Sequence, residues 1–196
     1  MQGNDALIVV DVQNDFCPGG ALAVTDGDQV VPVLNRYIYQ FTKSGLPVFA
    51  TRDWHPAETT HFNTRGGPWP PHCIQGTKGA EFHPNLALGN NVRVLSKGSG
   101  PESNDYSGFH ALSAEGAGLA ALLRGLEMNR ILVGGLATDY CVKHTVLDAL
   151  KEGFQVVVLM DSIRGVNLKP GDSARAIEEM RRAGAKLATN LQQALE

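Results

Sequence analysis

The sequence predicts an α/β fold of the doubly wound kind, a parallel sheet with helices on both faces. Two observations carry this. Short apolar, β-branched runs recur along the chain, and most are apolar throughout rather than alternating, as expected of strands covered on both sides. Between them lie segments whose apolar residues recur at spacings of three and four, the stripe of an amphipathic helix.

The elements follow in order. "ALIVVD" (6–11) is the first strand. Val30, Val33, Leu34, Ile38 and Phe41 make a helical stripe that Gly45 stops. "LPVFATRD" (46–53) is the second strand and "VRVLSK" (92–97) the third. Leu119, Leu122, Leu123 and Leu126 form a second stripe, followed by the strand "RILVGG" (130–135). Val142, Val146, Ala149 and Leu150 form a third, ending at Gly153, and "FQVVVLMD" (154–161) is the fifth strand. Ala174, Ile177 and Met180 mark a fourth helix, with Asp172 as N-cap and Gly184 behind it, before the strand "AKLATN" (185–190). No repeat, linker or low-complexity tract interrupts the alternation, so residues 1–196 read as a single domain. Asp53 to Asn91 alone lacks sustained periodicity. It is rich in Pro, Gly and His, with room for a short helix, and a loop of that length in a compact domain points to function.

Composition excludes several classes. The 196 residues are 43% hydrophobic, enough for a substantial core. A net charge of −3 without a basic run argues against nucleic-acid binding. No apolar stretch approaches the roughly 18 residues of a membrane span. "MQGNDALIVVDVQ" has no charged segment ahead of its apolar run, so it reads as a strand rather than a secretion signal. Cys17, Cys73 and Cys141 are too few and too scattered for a disulfide framework, which points to a cytoplasmic protein. A homo-oligomer is left open.

In open parallel sheets, ligands bind beyond the carboxyl ends of the strands. The first strand ends in Asp11, the second in Asp53 followed by His55, and the third in Lys97. The fourth leads through "GGLATDY" to Cys141. A lone cysteine is ordinarily a small buried hydrophobe. An acid, an amine and a thiol converging on one sheet edge suggest a nucleophile instead. With Thr138 as N-cap, Cys141 would lie in the first helical turn, where the helix dipole and the Lys97 ammonium favour a thiolate. The amides of Ala137 and Cys141 could then form an oxyanion hole, with Gly134 and Gly135 allowing close backbone approach. In "DWH", Asp53 and His55 fall on one side of an extended chain. His61 and His72 follow, and aspartate with imidazoles suits Zn²⁺, Fe²⁺ or Mn²⁺. His83, His110 and His144 receive no role.

Together "VVDVQNDFCPGGAL", "TRDWHP", "WPPHCIQGTKGAEFHP", "LSKG" and "GGLATDYCVKHTVLDAL" resemble the nicotinamidases (pyrazinamidases) of the isochorismatase-like cysteine hydrolase superfamily, over residues 6–190. The resemblance implies a three-layer sandwich around a six-stranded parallel sheet, and a catalytic triad at Asp11, Lys97 and Cys141. It implies one divalent metal on Asp53, His55 and His72, with His61 matching a further ligand of some members. It also implies a cis peptide between Leu136 and Ala137. Phe16 and Trp69 match walls of a pyridine pocket, with Leu136, Ala137 and, more loosely, Tyr106 beside them. The expected reaction converts nicotinamide to nicotinic acid and ammonia through a thioester, in NAD salvage. The expected partner is a small pyridine or pyrazine carboxamide. Two other readings stand beside it: a related cysteine hydrolase acting on a carbamoyl or ureido substrate, and a non-catalytic metal-binding domain of the same fold.

Overall fold

A computed structural model of the chain describes residues 3–196. Six strands form one sheet: β1 (Asp5–Val10), β2 (Val48–Asp53), β3 (Arg93–Lys97), β4 (Arg130–Leu136), β5 (Gln155–Arg164) and β6 (Lys186–Ala188). All neighbouring strands pair in parallel, in the order β3-β2-β1-β4-β5-β6. The chain grows outward from β1 to one edge, then returns to β4 on the other side. The crevice between the ends of β1 and β4 is therefore the topological switch point, the expected ligand site of such a sheet.

Strand residues alternate between the two faces. Leu7 and Val9 pack with α1 (Val30–Lys43) through Val30, Leu34 and Phe41, and with Ala194 of α5 (Leu191–Leu195). Ala6, Ile8 and Val10 pack with α2 (Leu119–Gly125), α3 (Lys143–Lys151) and α4 (Asp172–Arg182), through Leu119, Val146 and Met180. Both faces of β1 are thus dry, and all six of its residues are buried, which explains its unbroken apolar run. At its start the buried Asp5 carboxylate takes two hydrogen bonds from Arg130 of β4, at 2.7 and 2.8 Å.

Each expected strand and helical stripe is present, with shifted ends. β5 continues past Asp161 to Arg164, and α5 was not foreseen. Asp172 is not a cap: Gly171, at φ 85°, holds that position, and Asp172 begins the helix with its carboxylate accepting from the Lys169 amide at 2.7 Å. The segment 53–91 contains no α-helix among the described residues, only single 3₁₀ turns at Asn63–Arg65 and Lys78–Ala80. Crosslinks back to the body hold it in place. The Gln13 side chain donates to the Asp53 and Ala80 carbonyls at 2.7 and 2.9 Å, and Asp15 accepts from the Cys73 amide at 2.7 Å.

Candidate active site

Asp11 follows β1 directly and takes a left-handed backbone conformation, φ 49°, uncommon for a residue with a side chain. The bend turns its carboxylate into the switch-point crevice. There Oδ1 accepts from the Thr51 hydroxyl at 2.7 Å and Oδ2 lies 2.9 Å from Lys97 Nζ. Lys97, at the end of β3, is 1% exposed. Its ammonium also donates to the Asp53 carboxylate and reaches Cys141 Sγ at 3.4 Å. One buried cation at the end of β3 thus joins two carboxylates and a thiol from three other strand ends.

The charges follow from that arrangement. Burial depresses the Lys97 ammonium, but Asp11 and Asp53 outweigh it and hold the pKa well above the ordinary lysine value. Burial raises the Asp11 carboxyl and outweighs the opposing pull of Lys97. Burial also pushes the Cys141 thiol well above its usual range. Lys97 opposes this, while Asp11 and Asp53 add to it. The pull toward a thiolate expected from Lys97 is present but is outweighed by burial. Two carboxylates face the sulfur against one ammonium, so the group rests as a thiol and needs a base.

Cys141 lies in a π turn, Thr138–Val142, that precedes α3. The Ala137 carbonyl accepts from the amides of Tyr140 and Val142, both at 3.1 Å. Thr138 is the first residue of this turn and makes no cap, because Ala137 is the extended residue before it (φ −99°, ψ 148°). Such inserted turns recur at functional sites because they re-aim a side chain. The peptide between Leu136 and Ala137 is cis, as the resemblance implied. Gly135, at φ 127°, has no space for a side chain: a Cβ there would collide with the Val10 carbonyl oxygen.

His55, His61 and His72, all buried, place ring nitrogens within 4.8 Å of one another. Each has Nδ1 committed elsewhere: His55 to the Gly98 carbonyl at 3.1 Å, His61 to Asn104 Oδ1 at 2.6 Å, and His72 to the Pro70 carbonyl at 2.7 Å. Nε2 of each ring is left for a ligand. Asp53 Oδ2 lies 3.6 Å from His55 Nε2 and 3.9 Å from His72 Nε2, too long for hydrogen bonds. His55 Nε2 is buried with no hydrogen-bond partner. Burial holds His72 down to about 4, and lowers His61 as well, so both rings are neutral, the form that binds metal. An orphaned imidazole nitrogen beside two neutral imidazoles and a carboxylate is a donor set that fits a divalent zinc, iron or manganese. His61 joins the group on the same footing as the other two.

Between the thiol and the histidines lies a pocket lined by Phe16, Leu22, Asp53, His61, Trp69, His72, Tyr106, Ala137, Tyr140, Cys141 and Val166. Phe16, Trp69, Ala137 and Tyr106 fall where the sequence places them. Trp69 donates its indole N–H to the Tyr106 hydroxyl at 2.9 Å, and Tyr106 stacks on His144 with ring centroids 5.3 Å apart. Leu136 is a correction. It is fully buried on the α1 face, against the position a Gly27 side chain would take, and does not line the pocket. Leu22, Tyr140 and Val166 were missed. Tyr140 meets Trp69 edge to face at 4.8 Å. Val166 is held by the buried Asp139 carboxylate, which accepts from the amides of Val166 and Asn167 at 2.9 and 2.8 Å. The position of Asp139, two residues before Cys141, was the available signal.

Comparison with known proteins places this geometry. The model of the isochorismatase domain family matches residues 5–192. The chain is 44% identical to the nicotinamidase of Escherichia coli (strain K12), over 94% of each chain. It superimposes on the pyrazinamidase of Pyrococcus horikoshii in complex with zinc with a TM-score of 0.87 and 48% identity, covering 94% of this chain and 98% of that one. It also matches an L. infantum protein in complex with nicotinate, with a TM-score of 0.82 and 36% identity over 95% and 92% of the two chains.

Proposed function

The chain belongs to the isochorismatase family, and from that premise we propose that it is a nicotinamidase, also acting on pyrazinamide, that hydrolyses the carboxamide to a carboxylate and ammonia in NAD salvage. One observation carries this reading: Cys141, joined to Asp11 through the Lys97 ammonium, lines one aromatic-walled pocket together with Asp53, His61 and His72. A carboxamide-bearing ring would lie between the thiol and the histidines, against Phe16 and Trp69. A ureido substrate would leave the histidine cluster without a task, and a non-catalytic domain would have no need of the buried base and thiol.

The residues then divide the work. Phe16 and Trp69 sandwich the ring and exclude water. Asp11, its proton affinity raised by burial, takes the Cys141 proton, and the sulfur attacks the carboxamide carbon. The amides of Ala137 and Cys141 receive the developing oxyanion, each such donor contributing about 2.7–4 kcal/mol to the transition state. Asp11 returns its proton to the departing nitrogen, and ammonia leaves a thioester. Asp11 then deprotonates water, which attacks the thioester carbon. Carboxylate leaves and the thiol recovers its proton. Lys97 keeps Asp11 in place and offsets negative charge throughout. Asp53, His55, His61 and His72 would hold the divalent metal, which supplies a Lewis-acidic anchor for the ring nitrogen when bound. All three cysteines are free and buried, which supports a reducing, cytoplasmic setting.

The deciding experiment measures ammonia release from nicotinamide before and after chelation, with metal content determined on the same samples. Release that falls with the metal is expected. Release that survives complete metal removal would demote the histidine cluster. A folded, metal-loaded protein with no release would overturn the substrate.

A further inference from the structure

We infer that Asn104 is a positioning residue of the metal site, holding His61 with its proton on Nδ1 and Nε2 turned to the cation. This rests on the reading of His61 as a ligand given above.

His55 and His72 give their Nδ1 to backbone carbonyls, Gly98 and Pro70. A carbonyl can only accept, so those two rings must carry a proton on Nδ1, and Nε2 is left as the donor atom. His61 has no carbonyl there. Its Nδ1 faces a side-chain oxygen, Asn104 Oδ1, at 2.6 Å. An asparagine side chain ends in an acceptor on one side and a donor on the other. With its oxygen toward the ring it does what the carbonyls do. With its NH₂ toward the ring it would force the opposite tautomer, and Nε2–H cannot bind metal. The ligand state of His61 therefore depends on which way one amide points.

The loop that carries Asn104 is tied to the loop that carries the histidines. The Pro101 carbonyl accepts from the Thr60 amide at 2.8 Å and the Thr60 hydroxyl at 3.3 Å, next to His61. Gly98 at the head of the same loop holds His55. Residues 98–104 thus align two of the three imidazoles, one by main chain and one by side chain. Asn104 itself is exposed and adds nothing to the core, so replacing it tests the contact rather than the fold.

The test compares Asn104→Ala, Asn104→Asp, His61→Ala and the double variant His61→Ala/Asn104→Ala. Zinc affinity is read by competition with a chromophoric chelator, and donor number from the visible absorption of the cobalt(II)-substituted protein. Asn104→Ala should bind zinc about 10- to 100-fold more weakly, the usual effect of losing an outer partner of a ligand, and should change the cobalt spectrum. Asn104→Asp, which can only accept, should keep wild-type affinity or exceed it. In the His61→Ala background, Asn104→Ala should add nothing, because it acts through the ring already removed. Unchanged affinity and spectrum in Asn104→Ala, with both altered in His61→Ala, would overturn the positioning role and leave the ligand set intact. A full additional loss in the double variant, or a loss in Asn104→Asp equal to that in Asn104→Ala, would also overturn it. Unchanged affinity and spectrum in His61→Ala would instead sink the assignment of His61 as a ligand.

Discussion

Asp11 carries the base role in a backbone conformation that few residues tolerate, which makes the substitution that tests it easy to choose. Asparagine accepts a left-handed φ better than other side chains, so Asp11→Asn preserves the 49° bend and the Thr51 contact. It removes the capacity to take a proton, together with the negative charge that faces Lys97. Because burial keeps Cys141 protonated at neutral pH, the loss is not bypassed by a standing thiolate. A fall in kcat of about 10²–10⁴-fold is expected, with zinc content unchanged. Near-normal turnover would mean that the thiol is activated by something other than Asp11. Cys141→Ala should abolish turnover while keeping fold and metal, and substantial residual amidase activity would exclude the covalent route. At this scale the sequence was most legible where chemistry-bearing side chains stood at strand ends, as with Asp11, Asp53, Lys97 and Cys141. It was least legible for apolar walls. Leu22 and Val166 look like any buried aliphatic residue, and Leu136, though next to Ala137 in the chain, is fully buried in the packing against α1 rather than on the pocket wall.

Strands and helical stripes were readable because burial on both sheet faces leaves an unbroken apolar run, whereas helix beginnings were not. Thr138 and Asp172 both have the side chain of a cap, and neither serves as one: a π turn displaces the first, and Gly171 at φ 85° displaces the second. Local hydrogen-bonding preference gave way in both cases to how the preceding loop enters the helix. The strand leading to Cys141 depends in turn on Gly135. Two glycines with positive φ separate the contributions. Gly153, at φ 88°, has nothing within 4 Å of where an added methyl group would sit, so Gly153→Ala bears only backbone strain, about 1 kcal/mol. Gly135→Ala adds a collision with the Val10 carbonyl, main chain in a central strand that cannot move aside. We expect Gly135→Ala to cost about 2–5 kcal/mol in urea unfolding. Activity of the folded fraction should also fall, because Val10 immediately precedes Asp11. Equal costs for the two variants would show that β1 and β4 can separate there without penalty.

For the whole molecule, the histidine cluster makes stability depend on pH in a direction that can be worked out. Burial, opposed by Asp53, holds folded His72 down to about 4, while an imidazole in the unfolded chain titrates near 6.5. Between those values the unfolded chain binds more protons than the native protein, so stability rises with pH across the window and falls as pH drops through it. His61 is lowered by burial and acts in the same direction. Asp11 acts against them, because a carboxyl raised by burial gains protons in the native state before the unfolded one does. The histidine contribution is isolated by comparing the chelated wild type with chelated His72→Gln, a neutral side chain at the same place. From pH 7 to pH 5 the wild-type Tm should fall more steeply than that of the variant, whatever the constant offset between them. Zinc in excess should raise the wild-type Tm at pH 7, since a ligand that binds only the folded state stabilises it by mass action. That increment should shrink as protons compete for the same nitrogens. Parallel pH profiles for wild type and His72→Gln would mean that His72 is not kept neutral by the fold, and the pocket would then have to be assembled by the metal rather than presented to it.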